Sequence, residues 1–312
     1  MSGGFVNQDE TLRAAMFQWL REQMARWQDV LPRPLLESGF SFQGETVTLV
    51  GPRGIWIPRQ LHGVPISIAT TYNGPYDDQL SDDGLLIYHI QGHTTADLNN
   101  RDNVALRTAM QRRLPLVYFK SVSRGWYLPV FPVFVALEDP VQLSFGIAVD
   151  PAYGLGASSA SFGSCDDSVD SPLSIKRYVH AMVKSRLHQG RFRIDVLTAY
   201  GDRCCLCRLA HRELLDAAHI VPDSEPGGDP IVPNGLSLCK IHHAAYDQNF
   251  LGISPDYEVH VNRELLLEID GPMLKHGIQE LHGSRLVPPG ARAKRPDRER
   301  LDWRFERFRR AG

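Results

Sequence analysis

The chain has 312 residues and a mass of 35.1 kDa, with 43% hydrophobic and 22% charged residues, a length that suits two domains. This composition excludes collagen-like, coiled-coil and fully disordered chains. The formal net charge of −2 excludes a chain that coats nucleic acid by bulk electrostatics, yet from Leu173 onward there are 22 basic and 18 acidic residues, against 12 and 18 before it. A modestly basic back half is compatible with a phosphate-bearing substrate. No run of eighteen apolar residues exists and the N-terminus lacks an apolar signal core, so the expectation is a cytoplasmic protein that makes no use of a membrane.

In chain order, Leu12, Met16, Leu20, Met24 and Trp27 recur at the spacing of one helical face, predicting a helix over 11–27 that Pro32 and Pro34 terminate. From Phe40 to Leu137 short runs rich in Val, Ile, Phe and Tyr are broken by Gly, Pro and Asp. They predict strands near 46–50, 64–68, 85–90, 116–119 and 130–137, with one helix over 103–112. Residues 153–171 are rich in Gly, Ala, Ser and Asp and read as a flexible linker. Ser174 can cap a following helix carrying Ile175, Tyr178, Val179, Met182 and Val183 on one face. A break at Gly190 then precedes a second helix that ends at Gly201. From Pro288 the chain is rich in Arg and Pro and reads as a mobile or loosely docked basic tail that could touch phosphates, weighed against the favoured reading of a solvated charge run. The expected domains are 1–150, a linker 151–173, a second domain 174–287 and the tail 288–312.

Five cysteines is an odd and small number, and three crowd into 204–207, which suggests metal binding over a disulfide framework. Cys204 and Cys207 in CCLC and Cys239 and His242 in LCKIHH make two pairs at matching spacing. Thiolates and imidazole in this pattern suit a structural tetrahedral Zn²⁺. Buried free cysteines are the competing reading; Cys205 inside the knuckle and Cys165 in the linker are read as bystanders to the metal site. Between and after the pairs lie His219 in DAAHIVP, Asn234 in NGLSLC and His243 directly after His242.

Taken together, QGRFRIDVLTAYGDRCCLC, LDAAHIVP and NGLSLCKIHHAAYDQNFLGI resemble an HNH nuclease domain of the ββα-metal type, over about residues 187–261. The resemblance implies phosphodiester hydrolysis. His219 would be the general base, Asn234 would hold the catalytic loop, and His243 would bind a divalent cation such as Mg²⁺ or Mn²⁺. Many members carry an acidic residue directly before the first His, where this chain has Ala218; Asp216 or Asp247 is the alternative carboxylate.

In the front half, TTYNGPYDDQLSDDGLLIYHIQG reads by itself as a hairpin with an Asp-Gly turn. It also resembles the SRA domain, which reads 5-methylcytosine by flipping the base. That likeness extends through RDNVALRTAM, LPLVYFKSV and WYLPVFPVFVAL, over about residues 49–137. It implies that Tyr76 and Tyr88 stack on the flipped base and that Asp78, or Asp77, accepts from the exocyclic amine. Where the family often has a small hydroxyl residue after the second Tyr, this chain has His89. Trp56 is read as core, and Arg59, Arg101 and Arg107 are weighed as phosphate contacts against solvated surface.

The expected fold is therefore α+β, an SRA/PUA-like β-barrel followed by an HNH domain with structural zinc. The expected function is a type IV-like, modification-dependent endonuclease acting on double-stranded DNA that carries 5-methylcytosine or 5-hydroxymethylcytosine. Cutting both strands would call for a homodimer or successive nicks. The alternatives are an HNH endonuclease that reads another DNA feature, and an inactive protein that only binds modified DNA.

Overall fold

The computed structural model describes residues 3–72, 85–150 and 172–311. It divides into two compact units, Met1–Leu187 and His188–Gly312.

The first unit opens with helix α1 (Gly3–Trp27). Leu12, Met16, Leu20 and Met24 are buried along one face and join Val47, Leu49, Ile66, Val117 and Phe119 in a common core, as the helical spacing predicts. The helix ends before the prolines. Gln28 and Asp29 take positive φ, and the Asp29 amide donates to the Met24 carbonyl at 2.9 Å. Strand β1 (Leu31–Pro32), helix α2 (Arg33–Ser38) and the hairpin β2 (Phe40–Phe42) and β3 (Glu45–Val47) follow.

The remaining strands are β4 (Ile55–Trp56), β5 (Ser67–Ala69), β6 (Leu86–His89), β7 (Leu116–Ser123), β8 (Trp126–Asp139) and β9 (Ser144–Val149), with helix α3 (Arg101–Arg112) between β6 and β7. They form one sheet in the order β4-β5-β7-β8-β9-β6, with β1 paired to β8. Among the described residues only the β5–β7 pairing is parallel. Among the described residues β4 and β6 stand at opposite ends of this order, so the described strands make a half-barrel sheet, part of the barrel expected from the sequence.

Trp56 packs against the α1 core and donates its indole N–H to the Thr48 carbonyl at 2.9 Å. Arg59 and Arg101 are exposed. Arg107 is engaged: its Nε donates to Glu138 at 2.7 Å, tying α3 to β8.

The proposed linker, 153–171, lies outside the described residues. Helix α4 (Pro172–Ala199) runs without a break through Gly190. One glycine inside a helix costs about 1 kcal/mol, and burial of Phe192, Ile194, Val196 and Leu197 offsets it. The helix stops where Gly201 adopts φ +64° and the Asp202 amide returns to the Leu197 carbonyl at 2.8 Å, a left-handed C-terminal cap.

The second unit continues with the hairpin β10 (Leu215–His219) and β11 (Gly235–Cys239), helix α5 (Lys240–Asp247), the hairpin β12 (Leu251–Ile253) and β13 (Val259–Val261), and helices α6 (Arg263–Leu267), α7 (Pro272–Gly277) and α8 (Arg298–Ala311). The basic segment from Pro288 is thus not a loose tail. Leu301 of α8 is fully buried in the unit's core, and a Cβ on Gly252 would fall 2.4 Å from the Phe308 ring. Among the described residues no helix is long and apolar enough to cross a membrane.

Candidate active site

Two Cys-rich segments close around one point. Cys204, Cys207, Cys239 and His242 place their ligand atoms within 4.8 Å of one another, the one such cluster of His, Cys, Asp or Glu among the described residues. Cys207 Sγ lies 3.9 Å from Cys239 Sγ, and His242 Nδ1 lies 3.2 Å from Cys239 Sγ and 3.4 Å from Cys204 Sγ. A tetrahedral zinc ion has S···S edges of about 3.8 Å and N···S edges of about 3.5 Å, so this donor set fits the ion. His242 Nε2 sits 2.7 Å from the Gly277 carbonyl, a contact that assigns the proton to Nε2 and frees Nδ1 as the ligand. The Cys204 thiol is held well below the ordinary cysteine value, first by the hydrogen bond from Cys239 and then by His242. Cys205, by contrast, is fully buried and its thiol is pushed far up by burial; it is a core residue.

Beyond the cluster, β10, β11 and α5 form a ββα unit, with Leu215 opposite Cys239 and His219 opposite Gly235. His219 ends β10 and stacks on Phe192 of α4, with ring centroids 4.0 Å apart and planes 18° from parallel. A Cβ on Gly235 would fall 2.4 Å from Val196 Cγ2 and 3.0 Å from Phe192 Cζ. Glycine there lets α4 approach closely enough for the stack. The His219 Nε2 atom is enclosed with no hydrogen-bond partner. Burial lowers the pKa of this ring, reinforced by the charge of His243 and opposed by Asp223.

Asn234 is fully buried immediately before β11. Its Oδ1 accepts from the Val221 amide at 2.9 Å, and its Nδ2 donates to the carbonyls of Val221 at 3.0 Å and Asp229 at 3.1 Å. It therefore staples both ends of the loop between the two strands. Asn234→Ala would strand these buried backbone groups, at a cost of about 2–4 kcal/mol. The expected result is a lower denaturation midpoint for the chain at an unchanged slope.

His243 is held from both sides. Its Nδ1 lies 2.9 Å from Asp216 Oδ2, and its Nε2 lies 3.3 Å from Asp247 Oδ2. Lys240, the first residue of α5, donates to Asp216 Oδ1 at 2.7 Å. Burial alone would lower the His243 pKa, but the Asp216 hydrogen bond and the charges of Asp247 and Asp216 outweigh it and raise it. Adjacent ligands of an octahedral cation stand about 3.0 Å apart, so Nε2 and Asp247 fit as a ligand pair. Asp216 then matches the outer carboxylate that orients a ligating imidazole. Ala218 is fully buried and offers no ligand.

The structure thus brings His219, Asn234, His243, Asp216 and Asp247 into one ββα unit. The sequence reading missed Phe192, Lys240 and Arg193. The last donates to the Arg212 and Leu215 carbonyls at 3.0 and 2.9 Å, anchoring α4 to the start of β10; burial and the Arg212 charge pull its pKa to about 10. No local pattern marks these three, because each acts across a long sequence separation.

In the front unit Tyr76, Asp77 and Asp78 lie outside the described residues. Tyr88 is a buried ring of β6, 5% exposed, set edge-on against Tyr118 at 6.3 Å between centroids. Its hydroxyl reaches the Ala69 carbonyl at 3.5 Å.

Residues 204–254 match the family model HNH_2, described as HNH endonuclease. Among solved structures, one titled "Modification dependent TagI restriction endonuclease" is similar at 18% identity and a TM-score of 0.30, over 81% of this chain and 84% of that one. Another, titled "Structure of the Type IV phosphorothioation-dependent restriction endonuclease ScoMcrA", is similar at 15% identity and a TM-score of 0.24, over 62% of this chain and 50% of that one. No curated protein matches the chain.

Proposed function

We propose that the chain is a metal-dependent DNA endonuclease whose front unit reads a modified cytosine and whose second unit hydrolyses a phosphodiester bond. The observation that carries the nuclease half is the convergence of His219, Asn234 and His243 on a ββα unit within the segment matching HNH endonucleases. His219, kept neutral by burial, accepts the proton of a water that attacks phosphorus. Asn234 holds the loop between β10 and β11, and Phe192 fixes the plane of the imidazole. His243 and Asp247 would hold a divalent cation, which supplies charge stabilisation at the phosphate and the departing oxygen. Lys240 and Asp216 orient His243. Cys204, Cys207, Cys239 and His242 would hold a structural zinc that ties α5 to the knuckle.

The reader half rests on the likeness to SRA domains, with Tyr76, Asp78 and Tyr88 as the pocket for a flipped 5-methylcytosine or 5-hydroxymethylcytosine. The burial of Tyr88 favours a second reading, in which the front unit recognises a different DNA feature. Matched duplexes, unmodified or carrying either modified base, offered with Mg²⁺, Mn²⁺, Co²⁺ or Ni²⁺, separate these. Cutting confined to modified duplexes supports the whole proposal. Equal cutting of all duplexes removes the modified-base reader and keeps the nuclease, whereas binding without cutting under every metal removes the nuclease.

A further inference from the structure

We propose that Arg304, on the C-terminal helix α8, is a positioning residue for the cation site, acting through the end of α5. This inference rests on the nuclease reading above and extends it beyond the matching segment, which ends at residue 254.

Asp247 is the last residue of α5. Helix ends leave their final carbonyls without intrahelical partners and fray unless something caps them. Here the Asn249 and Phe250 amides close the last turn locally, donating to the Tyr246 and Ala245 carbonyls at 3.2 and 2.8 Å, and a side chain 57 residues further along the chain adds to that cap. Arg304 Nη2 donates to the Tyr246 carbonyl at 2.6 Å and reaches the Asp247 carbonyl at 3.5 Å. Its Nη1 donates to Asn249 Oδ1 at 2.7 Å, on a residue whose φ of +57° turns the chain out of the helix. The same guanidinium lies over the Tyr246 ring, 4.8 Å from its centroid. A cation at the negative end of the helix dipole adds to these bonds.

The rest of α8 fixes where Arg304 sits. Leu301 is fully buried, the Asp297 amide donates to the Pro233 carbonyl at 2.9 Å next to Asn234, and Arg300 pairs with Asp229 at 3.2 Å. Asp247 is more than half exposed, and its carboxylate contact is His243. Its aim is therefore set by its backbone, which Arg304 reinforces beside the local amides of Asn249 and Phe250.

The test is Mn²⁺ binding to the full, zinc-loaded chain, followed by the electron paramagnetic resonance of the free ion. Removing a group that orients a ligand typically weakens metal affinity by about 10- to 100-fold. Arg304→Gln is expected to weaken Mn²⁺ binding about tenfold, Arg304→Lys less, and the exposed Arg309→Ala not at all. If Arg304 acts through Asp247, the double variant Arg304→Gln/Asp247→Asn binds no more weakly than Asp247→Asn alone. Unchanged affinity in Arg304→Gln, or additive losses in the double variant, overturns the inference and leaves the nuclease reading intact. A wild-type chain that binds no Mn²⁺ overturns the cation-site reading, and the inference falls with it. If Arg304→Gln fails to retain zinc, Arg304→Lys carries the same comparison, and wild-type affinity in it overturns the inference.

Discussion

His219→Ala is expected to lower DNA cleavage by about a hundred- to ten-thousandfold, the usual worth of a positioned general base, while zinc content and thermal unfolding stay near wild type. The side chain is bound to the fold by its stack on Phe192, and its enclosed Nε2 has no hydrogen-bond partner. Removing it breaks no described hydrogen bond. The same environment sets the pH dependence. Burial favours the neutral ring, and the lowered pKa keeps the base unprotonated to below the ordinary histidine value of 6.5. The acid limb of kcat/KM for the wild-type chain should therefore lie below that value, with a plateau through neutrality. The linkage has a definite sign. In the window between the folded and ordinary values the unfolded ring binds the proton more readily, so His219 costs the fold stability as pH falls through it. A rate profile measured on one modified duplex, with metal concentration held constant, reads the limb directly. A residual activity in His219→Ala above a tenth of wild type would remove His219 from the role of base.

The second large effect is loss of the zinc cluster. Cys239→Ser is expected to leave the chain without zinc and to unfold the second unit, with cleavage lost as a consequence. Cys239 is both a donor and the hinge between β11 and α5, and it pairs in register with Leu215 at the start of β10. Free energies of about 10–16 kcal/mol bind structural zinc in small folded modules, as large as a domain's whole usual margin of about 5–15 kcal/mol. Zinc content and limited proteolysis check this. The variant should be digested within His188–Gly312 under conditions where the wild-type chain resists. A Cys239→Ser chain that keeps its zinc and resists proteolysis would show that the four donors do not form a structural site. Cys205→Ser is the matched comparison, because that thiol lies outside the donor set and in the core.

Much of the second unit was legible from residue order. Cys-x-x-Cys and Cys-x-x-His each place two donors within one turn of chain, so their spacing already limits the geometry to one that a single ion can close. The order His219, Asn234, His243 around those pairs marks a ββα unit in the same way. The apolar spacing of Leu12, Met16, Leu20 and Met24 likewise announced a buried helical face. The front sheet was less legible. Short apolar runs locate strands, but whether a sheet closes depends on strand length and pairing at its ends. Tyr88 shows the same limit: alternation along β6 places it on a face, while its tertiary neighbours, among them Tyr118 and Ala69, decide that the ring is buried.

The basic C-terminal segment is the sharpest contrast. By composition it is a solvated charge run, because a sequence records charges and not their partners. In the fold its arginines find Asp229, Asp256, Asn249 and the carbonyl of Tyr246, and Leu301 anchors them. The links from Lys240 to Asp216, from Phe192 to His219 and from Arg304 to α5 join residues 24 to 58 positions apart. The sequence alone determined which thiols, imidazoles and carboxylates the candidate site has to draw on, since those identities and their local spacing are covalent facts. Their orientation was decided only by tertiary structure, because stacking, hydrogen bonding and capping act over a few ångströms of space regardless of distance along the chain.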